Sequence, residues 1–239
     1  MATEMVAPPP GPWQVATVAA IHAETPTAKT FRLALERPTP FLPGQHFVVR
    51  LRASDGYTAQ RAYSAALPPD GGLAVEITVE RLPDGEVSAF LHDEVVVGDR
   101  LEVRGPIGGY FTWHGASPAL LVGGGSGVVP LMAMLRLARR TGRSDRVRMV
   151  VSARAPEDLY YAHELPGPEV RIAYTRRAPP GWPRPPGRLG ASDLVPLPSG
   201  HPTVYVCGSS AFADHVTDLL QVLGVPAGRI RVERFGPTG

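Results

Sequence analysis

The feature that most constrains this chain is a change of period near residue 112. Up to about Phe111 the text reads as short strands, "WQVATVAAIHAE", "AKTFRLALE", "QHFVVRLRA", "QRAYSAAL", "LAVEITVER" and "DRLEVRG". They alternate or run apolar and are parted by turn signals such as "LPGQ", "SDGY" and "PPDGG". Beyond "TWHGASPA" strands alternate with helices: "ALLVGGGSG" runs into "VVPLMAMLRLARRTG", and "SAFADHVTDLLQVLG" separates "TVYVCGSS" from "RIRVERF". Side chains that repeat every second residue and then every third or fourth cannot share one architecture. The pattern predicts a small antiparallel barrel followed by a doubly wound parallel sheet, and 239 residues suffice for two cores.

The expected boundaries are a Pro-rich disordered tail over 1–10, a barrel over 11–115 and an α/β domain over 116–239. Within the barrel, "GEVSAFLHDEV" reads as a short helix with Phe90, Leu91 and Val95 on its apolar face. Gly142 and Gly224 are expected to end the two long helices, with Ser209 or Ser210 capping the second. Arg136, Arg139, Arg140 and Arg143 fall at helical spacing and read as a solvated face, with docking of an acidic partner as the alternative.

Several function classes drop out. A net charge of +2 gives no reason to expect a nucleic-acid or membrane partner. Cys207 is the single cysteine, too few for a disulfide framework or a thiolate-held iron–sulfur cluster in these residues. No apolar run reaches a membrane span and "MATEMVAPPPGPW" is no signal peptide, which sets a cytoplasmic expectation. The seven histidines show no metal-ligand spacing. "VGGGSGVVP" lacks a P-loop lysine, and Val128 stands where both a nucleophile elbow and the third dinucleotide glycine need Gly. It still follows a strand and opens a helix, where bare backbone N–H groups suit a diphosphate. Dinucleotide-type glycines with little acid–base equipment imply that a cofactor carries the chemistry.

In "RAYS", Arg61 and Tyr63 share one strand face, and a cation beside a ring suits a ligand with a phosphate and an aromatic plane. A polar sheet edge is the other reading of those residues. "RAYS", "GEVS", "GPIGGYF", "GGGSGVVP", "YVCGS" and "ERF", with "PGQ" at 43–45, follow the order of motifs in the ferredoxin–NADP reductase superfamily, which the chain resembles over residues 12–236.

The resemblance implies a two-domain flavoenzyme that passes a hydride from NAD(P)H to FAD and electrons to a separate redox protein such as a ferredoxin. It further implies that Tyr63, beside Ala62, lies against the isoalloxazine, Arg61 pairs with the flavin phosphate, and Ser64 reaches toward N5. Ser88, with the backbone of Gly85, Glu86 and Val87, would hold the pyrophosphate. Gly123, Gly125, Ser126, Gly127 and Pro130 would shape the NAD(P) diphosphate site, Cys207 and Gly208 would border the nicotinamide, and Glu233 and Phe235 would close the flavin's other side. Ser64, Cys207 and Glu233 are thus the candidate catalytic residues; Cys207 as core filler and Phe235 as domain packing stay open. Arg154, Thr175, Arg176 and Arg188 resemble positions that clamp a 2′-phosphate, favouring NADPH over NADH, and no Asp or Glu is expected to compete at those strand tips. The ferredoxin domain of the dioxygenase-reductase branch is expected to be missing. The rival readings are a reductase of free flavin or small quinone-like acceptors, and a flavin- or nucleotide-binding regulatory module without turnover.

Overall fold

A computed structural model describes residues 11–68 and 70–236; the expected tail over 1–10 lies outside them. Six antiparallel strands come first: β1 (Gln14–Thr25), β2 (Ala28–Leu35), β3 (His46–Arg52), β4 (Thr58–Ser64), β5 (Ala74–Glu80) and β6 (Arg100–Ile107). They form one sheet in the order β4-β3-β6-β1-β2-β5. Its two edges meet where Ala65 bridges Ile77 and the Ala66 N–H donates to the Glu76 carbonyl at 2.8 Å, which closes the sheet on itself. The alternation seen in the sequence turns Phe31, Leu33, Phe47, Val49, Val75, Ile77, Val79 and Val103 inward, each fully buried. Each such side chain contributes about 1.5–3 kcal/mol of apolar burial.

The helix α1 (Glu86–Asp93) follows β5 in the chain and packs against β4 and β5. Val87 and Leu91, four residues apart, form its inner face, and Val95 is buried just beyond it. Phe90, expected on that face, is instead 43% exposed. His92 takes the inner place, because its ring nitrogen bonds the Val79 carbonyl at 2.8 Å. The C-terminal end of α1 is capped by Lys29, whose Nζ donates to the His92 carbonyl at 2.7 Å.

The second sheet is parallel throughout: β7 (Ala119–Gly124), β8 (Val147–Ala153), β9 (Val170–Tyr174), β10 (Thr203–Gly208) and β11 (Ile230–Arg234), in the order β11-β10-β7-β8-β9. The helix α2 (Val128–Arg140) packs on one face, where Leu131, Met132, Met134 and Leu135 meet Leu121, Met149 and Val151. The short α3 (Ala191–Leu194) and α4 (Ser210–Val222) cover the other, where Ala213, Val216 and Leu220 meet Val204 and Val206. Ser209 caps α4, its hydroxyl accepting the Phe212 N–H at 3.3 Å, while Gly142 and Gly224 have φ of +66° and +78° after the two long helices. No helix among the described residues is long and apolar enough to cross a membrane.

The arginine stripe that starts on α2 is solvated only in part: Arg140 and Arg143 are exposed, whereas Arg136 and Arg139 turn into the protein. Arg136 forks onto Glu76 and Glu164, Arg139 pairs with the 7% exposed Glu169, and Arg143 donates to the Gly115 carbonyl at 2.9 Å. Helical spacing alone does not reveal carboxylates brought in from distant parts of the chain. Of the four arginines, Arg136 reaches the barrel, through Glu76 and the Ala66 carbonyl, while Arg139 bonds Glu169 and the carbonyls of 164–166 within its own domain.

Candidate active site

Strand order places the site. Reading outward from β7, the chain adds β8 and β9 on one side and β10 and β11 on the other, so the switch point lies between β7 and β10. Ligands of open parallel sheets bind beyond the carboxyl ends at that crevice. There Gly123 pairs in register with Cys207. A Cβ on Gly127 would stand 2.2 Å from the Cys207 carbonyl oxygen, and one on Gly123 would stand 3.0 Å from Leu131 and 3.1 Å from the Val128 Cα. Gly124 and Gly208 both abut the Phe212 ring, with a Cβ at 2.9 and 2.6 Å from it. Gly125 differs: its φ is +56° and nothing lies within 4 Å of its missing side chain. The exposed backbone at Gly125, with Ser126 beside it and the start of α2 behind, is an open cradle of N–H groups at a helix N-terminus. Pro130 is buried in the first turn of α2, where a missing N–H costs no helical bond.

The barrel meets this crevice directly, because β5 contacts the glycine turn 125–127. Next to β5 lies the end of β4. Arg61 and Tyr63 share a face there with buried Ala59, while Gln60 and Ala62 point away, exposed. Tyr63 packs on the barrel core, and burial pushes its phenol well above the ordinary range, so it stays a neutral ring. Among the described residues the Arg61 guanidinium has one partner, the Gln60 carbonyl at 2.8 Å. That leaves its remaining N–H donors for an anion. Ser64 is buried opposite His46 in β3.

At α1 the serine hydroxyl is committed locally. Ser88 Oγ donates to the Gly85 carbonyl at 3.1 Å and accepts the Leu82 N–H at 3.2 Å, and a Cβ on Gly85 would stand 2.3 Å from it. The groups at this terminus without helical partners are the first backbone N–H groups, from Glu86 to Ser88. The Glu86 side chain turns outward to accept the Tyr57 hydroxyl at 3.1 Å. Two helix N-termini, one per domain, therefore offer backbone donors, and together they fit a flavin diphosphate and a nicotinamide diphosphate.

On the far side, Cys207 is fully buried, and burial, with Glu233 beside it, pushes its thiol well up. A thiol held protonated is no nucleophile. Glu233 pairs in register with Cys207, and burial raises its carboxyl to about 7. Phe235 donates its N–H to the Gly208 carbonyl at 2.8 Å and packs, partly buried, on the core that contains Cys207 and Ala66. The crevice thus brings Cys207, Gly208, Glu233 and Phe235 to one place.

Arg154, Arg176 and Arg188 are exposed, and the Arg154 carbonyl accepts the N–H groups of Arg176 and Arg177 at 2.9 and 3.1 Å. Thr175 bonds Ala153 at 2.9 Å, which fixes the two strand tips together. An acidic residue does stand here, against expectation: Glu157, in the turn after β8, pairs with Arg177. It neutralises Arg177 and so separates it from the other three arginines. Arg184 is likewise taken, by Asp193 at 2.7 Å.

These features define an FAD-dependent oxidoreductase that uses a nicotinamide nucleotide. Residues 15–112 match the family model for the oxidoreductase FAD-binding domain, and residues 121–218 match that for the oxidoreductase NAD-binding domain. The chain is 30% identical over 236 residues to the ferredoxin–NAD(P)(+) reductase component of the naphthalene 1,2-dioxygenase/salicylate 5-hydroxylase systems of Ralstonia sp, covering 93% of this chain and 69% of that protein. It is 31% identical over 229 residues to the glycine betaine monooxygenase reductase subunit of Chromohalobacter salexigens, covering 90% and 62%. Among solved structures, the flavohem-like FAD/NAD-binding domain of nitric oxide dioxygenase from Vibrio cholerae superposes with a TM-score of 0.84 at 25% identity, covering 94% of this chain and 99% of that one. The chain belongs to the ferredoxin–NADP reductase superfamily, and it spans about two thirds of the length of these two curated relatives.

Proposed function

We propose that this chain is the NADPH-oxidising component of an electron-transfer pair, delivering electrons one at a time to a separate redox protein of the ferredoxin type. The observation that carries the reading is the contact between β5 and the glycine turn 125–127, which sets the nucleotide crevice against the strand end bearing Arg61, Tyr63 and Ser64. The named relatives, reductase components of oxygenase systems, support it.

Bound FAD supplies a hydride acceptor and releases electrons singly. The protein's share is orientation: Arg61 and the α1 N-terminus hold phosphate, Tyr63 offers a neutral ring face, and the Gly125 cradle receives the dinucleotide. Glu233, with a pKa near neutrality, holds a proton beside Cys207. Arg154, Thr175, Arg176 and Arg188 favour NADPH, since guanidinium forks suit a dianionic phosphate. A cytoplasmic setting, where NADPH is supplied, belongs to the same reading.

Anaerobic titration tests it. FAD-loaded protein is expected to bleach with NADPH and to reduce a ferredoxin faster than it reduces added riboflavin. A flavin that neither coenzyme bleaches would overturn it.

A further inference from the structure

Arg136 carries its charge into the seam between the sheets. Its Nη1 donates to the Glu76 carboxylate at 2.8 Å and to the Ala66 carbonyl at 3.0 Å, both on the barrel. Its Nε donates to Glu164 at 2.9 Å, with Nη2 on the second carboxylate oxygen. The guanidinium carbon stands 5.1 Å from the centre of the Tyr161 ring. Both partners of the inter-sheet pair are largely buried, with 16% and 14% of their side chains exposed.

Beside it runs a closed circuit of hydrogen bonds between the sheets, and chemistry fixes its direction. A carboxylate only accepts, so the Thr30 hydroxyl donates to Glu24 at 2.7 Å. A hydroxyl has one hydrogen, so Thr78 donates to Thr30 at 2.7 Å and the Tyr161 hydroxyl donates to Thr78 at 2.5 Å. The Tyr161 N–H returns to Glu24 at 3.0 Å. Tyr161 has a φ of +55°, a conformation that a residue with a side chain keeps only when its surroundings hold it there.

We propose that Arg136, together with the Tyr161 circuit, is the positioning latch that sets the angle between barrel and parallel sheet, and through it the approach of nicotinamide to flavin. The second half of this statement rests on the function proposed above. Arg136 lies eight residues, roughly 12 Å, along α2 from Val128 at the glycine turn. Its acceptor Ala66 lies two residues past Ser64. One planar fork therefore joins the helix whose start receives the dinucleotide to the strand whose end faces the flavin. Any tilt of one sheet against the other lengthens a charged hydrogen bond. Hydride transfer needs near-attack geometry, where an error of about 1 Å costs roughly a hundredfold in rate. None of the latch residues lies in the flavin or nucleotide motifs.

The test compares FAD-loaded wild type with Arg136→Lys, Tyr161→Phe and the double variant Arg136→Met/Glu76→Gln, which removes both charges of the inter-sheet pair, Glu76 being held within the barrel by Arg32 as well at 3.1 Å. Thermal unfolding followed by flavin fluorescence and by far-ultraviolet dichroism reads the coupling of the two sheets. Stopped-flow reduction by NADPH reads positioning. The double variant is expected to keep FAD affinity within about twofold, to melt in two separated steps where wild type melts in one, and to be reduced about tenfold slower at saturating NADPH, with half-saturation within about threefold. Arg136→Lys and Tyr161→Phe should fall between. Coincident melting with a saturating rate within about twofold of wild type, in all three variants, would overturn the latch. Failure of wild-type reduction would sink the proposed function instead, and the melting comparison would still decide the latch.

Discussion

Gly127 lies flat against the carbonyl of Cys207, so close that a single added carbon would stand 2.2 Å from the oxygen and 2.3 Å from the carbonyl carbon. The contact is backbone to backbone, and neither partner can swing aside. Gly127→Ala is therefore expected to move β10 or the start of α2, lowering the melting temperature by several degrees and weakening nucleotide binding at least about tenfold. Gly125→Ala meets open space and bears only the left-handed backbone cost of about 1–2 kcal/mol. Thermal melts of the two variants side by side check this ordering, and the reverse order would contradict it.

The Arg61 guanidinium, bonded to the Gln60 carbonyl at 2.8 Å, is proposed to meet the flavin phosphate. Arg61→Ala should lose a charged phosphate contact, about 1.5–3 kcal/mol, or roughly ten- to a hundredfold in FAD affinity. Fluorescence titration of apoprotein measures it. Unchanged affinity would remove Arg61 from the flavin site.

Glu233 should leave a mark on stability against pH. Its folded pKa, about 7, lies above the ordinary value of 4.5. The native state thus holds a proton that the unfolded chain has released, and stability falls as pH rises across that window. In Glu233→Gln this loss is absent. The variant's melting temperature, relative to wild type, should climb between about pH 4.5 and 7 and level off above. A difference that stays flat across this range would show that burial does not hold the proton.

Arg176→Ala should lower kcat/KM for NADPH by about tenfold or more while leaving NADH within about twofold. Arg177→Ala should spare both, since Arg177 is paired with Glu157. Equal losses with both coenzymes in Arg176→Ala would mean that Arg176 does not read the 2′-phosphate.

Arg139→Met strands the carboxylate of Glu169, of which 6% of the side chain is exposed. Breaking such a pair from one side costs about 3–5 kcal/mol, and Arg139→Met/Glu169→Gln should recover much of it. Urea titrations of the three proteins give the comparison.

The strands and long helices were legible because their periods follow from local geometry: inward Val75, Ile77 and Val79 alternate with outward neighbours whatever surrounds them. The glycine turn was legible for the same reason, since bare backbone before a helix is a local property. The arginine stripe was not. Arg136 meets Glu76 and Arg139 meets Glu169 across 60 and 30 residues, and no window along the chain holds both partners. Phe90 misled because a short helix offers two apolar stripes, and only the bond from His92 to Val79 selects between them. Glu157 escaped notice since it belongs to the turn after β8, not to the strand itself.

Lys29 is the one lysine in 239 residues, and its amine is spent on the last turn of α1. Apart from the chain's amino terminus, an acylating reagent finds a single target, already built in. Its rate of modification is expected to follow how often the far end of α1 frays, and the near end is where flavin phosphate is proposed to bind. A small primary-amine reagent thus turns the helix into its own gauge: slower labelling as FAD is added reports, through eight residues of backbone, that the phosphate has arrived.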